Sequence, residues 1–244
     1  MRRLLLLLLF LPTTLRADVL ADVRAALTRL GARDPIHATY ELQRAVNNEG
    51  RFNDDKFSGK ASVEIEGDAS GVRFIAARPL LEQVEREELA HTRNPKQPTP
   101  TTNALRDITA VSASDAIDCA PSILRLLDGA AVTSDAAAAF QGKPARMVVL
   151  KVADRPSNDG SRVTPLENRL TLWLGADLVP LAAEHVQAAK FSFLIFKGEA
   201  RTKRNWLFAR VGDRLVRTRL DSVQSGSGMG QKGLETTVAI VRVH

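Results

Sequence analysis

The chain has 244 residues, 44% of them apolar and 25% charged, with a formal net charge of +6. That composition excludes global disorder and fibrous repeats, and the length suits one substantial core. Basic residues are interspersed with acids rather than gathered on a stripe, so a nucleic-acid partner is not expected.

Residues 1–17 read as an export signal. Met1-Arg2-Arg3 forms a basic start, Leu4 to Leu11 an apolar stretch, and Ala17 a small residue at the cleavage point. Eight apolar residues in a helix reach only about 12 Å, too short to span a bilayer. Removal of Arg2, Arg3 and Arg16 with the signal would leave a charge near +3. The expected locale is the periplasm or the outside of the cell, by a Sec-type route. Cys119 is the single cysteine, which leaves no intrachain disulfide and no cysteine-based zinc site. It reads either as a small buried hydrophobe or as a reactive thiol.

Asp18 to Gly31 has the spacing of an amphipathic helix, with Val19, Val23, Ala26, Leu27 and Leu30 on one stripe. Alternation then takes over: Ala38, Tyr40 and Leu42, then Ala61, Val63 and Ile65, then Val72, Phe74 and Ala76. A period of two with one polar face predicts half-buried antiparallel strands. Asn47–Gly50 and Gly67–Gly71 supply turn residues. Pro79 opens a helix to about Thr92, with Leu80, Leu81, Val84 and Leu89 as its apolar side. Asn94 to Thr102 is proline-rich and reads as a loop. A helix is predicted from Asn103 to about Val111 and another from Ser114 to Asp128, which Pro121 would kink or split. From Ala130 onward a β-meander is expected. Its runs include Arg146–Val152, Leu178–Ala188, Lys190–Phe196, Asn205–Val211, Leu215–Val223 and Leu234–Val243, with hairpin turns at Gln141–Pro144, Gly175–Asp177 and Gly212–Asp213.

Candidate chemistry is sparse. Glu82, Glu85, Glu87, Glu88 and His91 share one helix, and Glu88 with His91 could form half a metal site. With no second such pair, a solvated charged face is the better reading, and no metal or other cofactor is expected. His185 and the adjacent Glu184 point to opposite faces of a strand. Gly226–Gly230 lies between strands, so it reads as a hairpin loop rather than a phosphate cradle. The densest apolar run is Lys190–Phe196, with Phe191, Phe193 and Ile195 on one side. It reads as a central strand, one side of which could line a ligand groove.

The order of parts (signal, amphipathic helix, strands, helical insertion, long meander) resembles the periplasmic lipoprotein-carrier and lipoprotein-sorting superfamily, LolA/LolB-like. The resemblance is one of architecture over nearly the whole mature chain. It implies an α+β, mostly antiparallel fold: a curved open half-barrel of about ten or eleven strands on an N-terminal helix and a helical insertion near residues 79–129. The domain would be residues 18–244. The carriers' lid-locking arginine sits in a Lys-Arg-Pro context; Arg78-Pro79 is the nearest counterpart, preceded by Ala77. The resemblance also implies a non-enzymatic protein for a lipid, a lipoprotein acyl chain or another apolar ligand, with peripheral membrane contact. An envelope protein partner on the same fold is the alternative, and a hydrolase with a hidden site a further one. The candidate ligand-binding residues are Phe191, Phe193, Ile195, Trp206, Phe208, Leu124 and Leu127; they are equally good core residues.

Overall fold

The structure is a computed structural model that describes residues 18–32, 34–50, 56–154, 162–193, 196–228 and 230–244. The predicted export segment, 1–17, lies outside the described residues. Asp18 caps the first helix, α1 (Val19–Thr28), accepting from the Leu20 N–H at 3.1 Å. Strands β1 (Ile36–Gly50), β2 (Lys56–Asp68) and β3 (Gly71–Ile75) follow. Four helices come next: α2 (Arg78–Arg93), α3 (Pro100–Asp107), α4 (Ala110–Ile117) and α5 (Ala120–Leu127). The meander is β4 (Ala131–Phe140), β5 (Lys143–Lys151), β6 (Arg162–Leu174), β7 (Pro180–Phe193), β8 (Phe196–Val211), β9 (Arg214–Gly228) and β10 (Gln231–Val243).

Among the described residues, ten strands join one antiparallel sheet, in the order β3-β2-β1-β10-β9-β8-β7-β6-β5-β4. β1 pairs with β10, so the first and last described strands meet in mid-sheet while β3 and β4 form its open edges. The class is therefore α+β and antiparallel, without closure into a barrel.

One face carries the apolar side chains and the helices. Its core has two parts. In the first, α1 and α5 cover β5 to β9: Val23 and Leu27 meet Ile123, Leu127, Leu150, Leu170 and Leu172. In the second, α3 and α4 cover β1, β2 and β10: Ala104, Ala113, Ala116 and Ile117 meet Tyr40, Leu42, Val63 and Ile65. The other face is wet and laced with cross-strand ion pairs. Lys60 and Arg242 flank Glu41, and Lys203 and Arg169 flank Glu184. The period-two alternation produces this division directly.

Several expectations are corrected. Asn47–Gly50 is not a turn; it extends β1, paired residue by residue with Gln231–Leu234 of β10. Of the third alternating run, Val72 and Ala76 pack half-buried against the second core, but Phe74 is exposed, because β3 is a short edge strand. Pro121 does split its helix: α4 ends at Ile117, and α5 begins with Pro121 in its first turn. The cap of α4 is Thr109 rather than Ser114, in a reciprocal capping box with Ser112. α3 starts three residues before the predicted Asn103.

Of the predicted apolar side of α2, Leu80 packs against the second core. Leu81 and Leu89 are exposed, and the buried residue is Glu87. Its carboxylate accepts from the backbone N–H groups of Thr101 (2.9 Å) and Thr102 (3.1 Å) in the first turn of α3. Burial raises the pKa of Glu87, but hydrogen bonds from Gln83, Thr101 and Thr102 outweigh that and hold it below the usual carboxylate range. The acid thus ties α2 to the positive end of α3. Its neighbours behave as solvated side chains: Glu88 pairs with Arg106, and the His91 ring bonds the Gln97 carbonyl. Among the described residues no group of three or more such side chains is placed to hold a metal.

Candidate functional site

A cavity of about 810 Å³ opens beside the first core, between α5 and the inner face of β6 to β9. Strand parity decides what lines it. In an antiparallel sheet, residues directly opposite one another share a face. Trp206 of β8 lies opposite Ala183 of β7 and Leu220 of β9. One step along, Arg204 lies opposite His185 and Ser222; one step further, Thr202 lies opposite Gln187 and Gln224. Beyond these come Ala189 and Ala200.

The wall therefore changes character along the strands. Its apolar part comes from Ile123 and Leu126 of α5 with Trp206, Phe208 and Leu220. The polar part is a band of His185, Gln187, Asn168, Thr202 and Arg204, and the two alanines leave space beyond it.

The band is ordered by side-chain bonds. Arg204 Nη1 donates to Gln187 Oε1 at 3.1 Å. His185 Nε2 lies 3.0 Å from Asn168 Oδ1, and its ring also tilts against Trp206. His185 is only 2% exposed. Burial first, and the adjacent Arg204 second, push its pKa down to about 4, so the ring is neutral at pH 7. A neutral ring facing an amide carbonyl donates from Nε2. Burial and repulsion from Arg217 also lower Arg204.

At the helix side, Arg217 pairs with Asp115 of α4 at 2.6 Å, and Asp115 also accepts from the Ser122 hydroxyl. Cys119 caps α5 from the buried end. Its N–H and thiol both donate to the Leu215 carbonyl, at 2.9 and 3.0 Å, and burial raises the thiol far above its ordinary pKa. It is a structural residue rather than a reactive one.

The sequence-predicted ligand residues scatter. Trp206 and Phe208 line the cavity. Leu127 sits fully buried in the first core, and Leu124 packs against that core. Phe191 is 40% exposed and lines a second hollow with Arg44 and Phe57, which adjoins the cavity at Ala200. The Phe193 side chain and Ile195 fall outside the described residues. Lys190–Phe196 is not a central strand: β7 ends at Phe193, β8 starts at Phe196, and those two residues pair across the reversal. Without glycine, asparagine or proline, nothing in that run marks a turn. Arg78 forms no lid lock; it pairs with Glu82 one turn along its own helix, at 2.8 Å.

Residues that sequence reasoning did not gather are Arg204, Gln187, Asn168 and Thr202. Strand parity was the available signal. Once Trp206 points inward, Arg204 and Thr202 must do so too.

No protein-family model matches the chain, and no curated protein matches it in sequence. Among solved structures it is similar to a DUF1329 family protein from Desulfovibrio piger, with 10% identity over 89% of each chain and a TM-score of 0.27. It is also similar to MucB, solved in complex with MucA(peri), with 9% identity over 91% of this chain and 93% of that one and a TM-score of 0.23. At these scores neither structure supplies a residue-by-residue correspondence, so the cavity's own residues carry any functional reading.

Proposed function

We propose that the protein is exported to the periplasm or beyond and holds, without transforming it, a ligand with a long apolar body. The observation that carries this is the cavity. Its volume falls within the range of small-molecule sites, roughly 300–1,000 Å³, and α5, β8 and β9 give it one apolar side. The reading takes the open sheet as a half-barrel curled about its helices, with the ligand between the two layers.

Alkyl chains suit such a wall. Each buried methylene is worth about 0.8 kcal/mol. A twelve-carbon chain thus offers on the order of 9 kcal/mol before the costs of association. The side chains present argue for holding rather than reaction. The only thiol is buried and engaged with a carbonyl, and the neutral His185 faces an amide rather than a hydroxyl or carboxylate.

One further observation favours a polypeptide partner as a second reading. β4 is a ten-residue edge strand, exposed along almost its whole length, and an edge of that kind can accept an added strand.

Native mass spectrometry of the protein recovered from its own compartment tests both. Lipid-sized mass increments, and uptake of a fluorescent long-chain fatty acid that Ala200→Trp blocks by filling the cavity, are expected. Protein that emerges empty and takes up no probe would remove the basis for the apolar ligand. A polypeptide-sized increment instead would favour the edge strand.

A further inference from the structure

We propose that the cavity's ligand is an amphiphile with an anionic head, a carboxylate or phosphate monoester, and that Arg204 and the Trp206 indole N–H anchor that head. This rests on the binding reading above and adds the chemistry of the head to it.

The argument begins from one row of the sheet. Arg44, Thr237, Ser222, Arg204 and His185 lie directly opposite one another across β1, β10, β9, β8 and β7. The row thus presents two arginines to the same face. Arg44 meets Asp107 of α3 at 2.7 Å and Glu235 of β10 at 2.9 Å. Arg204, among the described residues, meets no carboxylate. Its one hydrogen bond goes to the neutral Gln187. A half-buried guanidinium ordinarily has a counter-charge, and here the space where one would sit is the cavity.

The tryptophan supplies the second, independent observation. Trp206 is 9% exposed, and its Nε1 is buried with no partner. An indole N–H is a donor only and usually finds an acceptor when buried. Trp206 stands two residues from Arg204 on the same face of β8, and both line the cavity.

The two amide oxygens nearby are each engaged. Gln187 Oε1 takes the Arg204 bond, and Asn168 Oδ1 takes the His185 bond. The acids around the cavity bond elsewhere: Asp115 with Arg217, Glu167 with Arg201, Asp128 with Arg24, and Asp154 with the neutral amide of Asn168. Within the polar band of the wall, Arg204 is thus a cation with no carboxylate at bonding distance. A carboxylate or phosphate supplies the missing acceptor and charge together, while its alkyl chain follows Ile123, Leu126 and Phe208.

Calorimetric titration of the purified protein with dodecanoic acid, dodecyl phosphate and dodecanol tests this, with acetate and inorganic phosphate as headgroups alone. The wild-type protein should bind at least one of the two acids at least tenfold more tightly than the alcohol. Arg204→Gln should bring that acid down to the level of the alcohol and leave the alcohol unchanged. Arg204→Lys should keep a preference for the acid, which guards against a mere folding defect in the glutamine variant. Trp206→Phe should weaken the acid severalfold and not the alcohol. Equal affinity for acids and alcohol in the wild type would overturn the anchor while leaving an apolar site. Acetate or phosphate binding as tightly as the long-chain acids would make this a free-anion site and overturn the amphiphile. If no long-chain compound binds at all, the broader binding reading fails with it. The relative strength of the two acids identifies the head.

Discussion

Two halves of one sheet face are built to different ends. Under α3 and α4, the strands β1, β2 and β10 are covered closely, and the one inward arginine is answered by two acids. Beside α5, the inner face of β6 to β9 is left partly uncovered, and the arginine on the same cross-strand row is answered by none. Arg44 is held above its ordinary pKa, first by the Glu235 hydrogen bond, while burial and Arg217 lower Arg204. The sheet supplies the same residue at the same level in both halves. What differs is the layer above it. A short helix seated directly on the strands makes a core, and its absence makes a site.

The largest test of that difference is a pair of truncations. Ile117 is fully buried in the closed half, whereas Leu126 borders the cavity. Ile117→Ala should cost about 2–5 kcal/mol, the usual range for emptying a tightly packed position. Leu126→Ala should cost about 1 kcal/mol or less, because it enlarges a space that already exists. Urea denaturation measures both, and equal losses would erase the distinction between the halves.

A smaller effect is expected at Gly59, which lies opposite Arg44 on the same row. A Cβ built there would fall on the Pro100 carbonyl, so the first turn of α3 rests on the bare backbone of β2. Gly59→Ala must push α3 away, at a cost of roughly 1–3 kcal/mol. Because α3 carries Asp107, the shift should also loosen the Arg44 pair. A variant as stable as the wild type would show that α3 is not seated as closely as the closed half requires.

Much of the closed half was legible in the sequence, because its signals are local. Ala38, Tyr40 and Leu42 alternate within one strand, and Ala61, Val63 and Ile65 within the next; all six are buried. At the far edge of the sheet the β4–β5 hairpin was legible too: Gln141-Gly142 takes positive φ at both residues, as a type I′ turn demands. The open half was less legible for two reasons. Aromatic weight pointed to Phe191, but hydrophobicity does not say whether a residue ends a strand or fills its middle. And the row that sets Arg44 level with Arg204 joins residues some 160 positions apart. Register between distant strands settles that alignment, and no local pattern carries it. The burial of Glu87 escaped for the same reason. Its partners, the free N–H groups at the start of α3, exist only once the two helices are set together.

Acid offers the last and smallest test, because it should strain the open half in particular. His185 stands beside Arg204 with no carboxylate bonded to its ring, and its folded pKa of about 4 lies below the ordinary 6.5. Between those values the unfolded chain takes up a proton that the folded protein refuses. The contribution of His185 to stability is therefore complete above about pH 6.5 and falls as the pH drops toward 4, below which it changes no further. Allowing for solvent at the cavity mouth, the loss should be on the order of 1–2 kcal/mol. Urea midpoints of wild type and His185→Gln, compared from pH 7 to pH 4, isolate it. The wild type should lose more stability over that range than the variant. Parallel curves would mean that the ring takes its proton in the folded state as readily as in the unfolded, and hence that neither burial nor Arg204 opposes its charge.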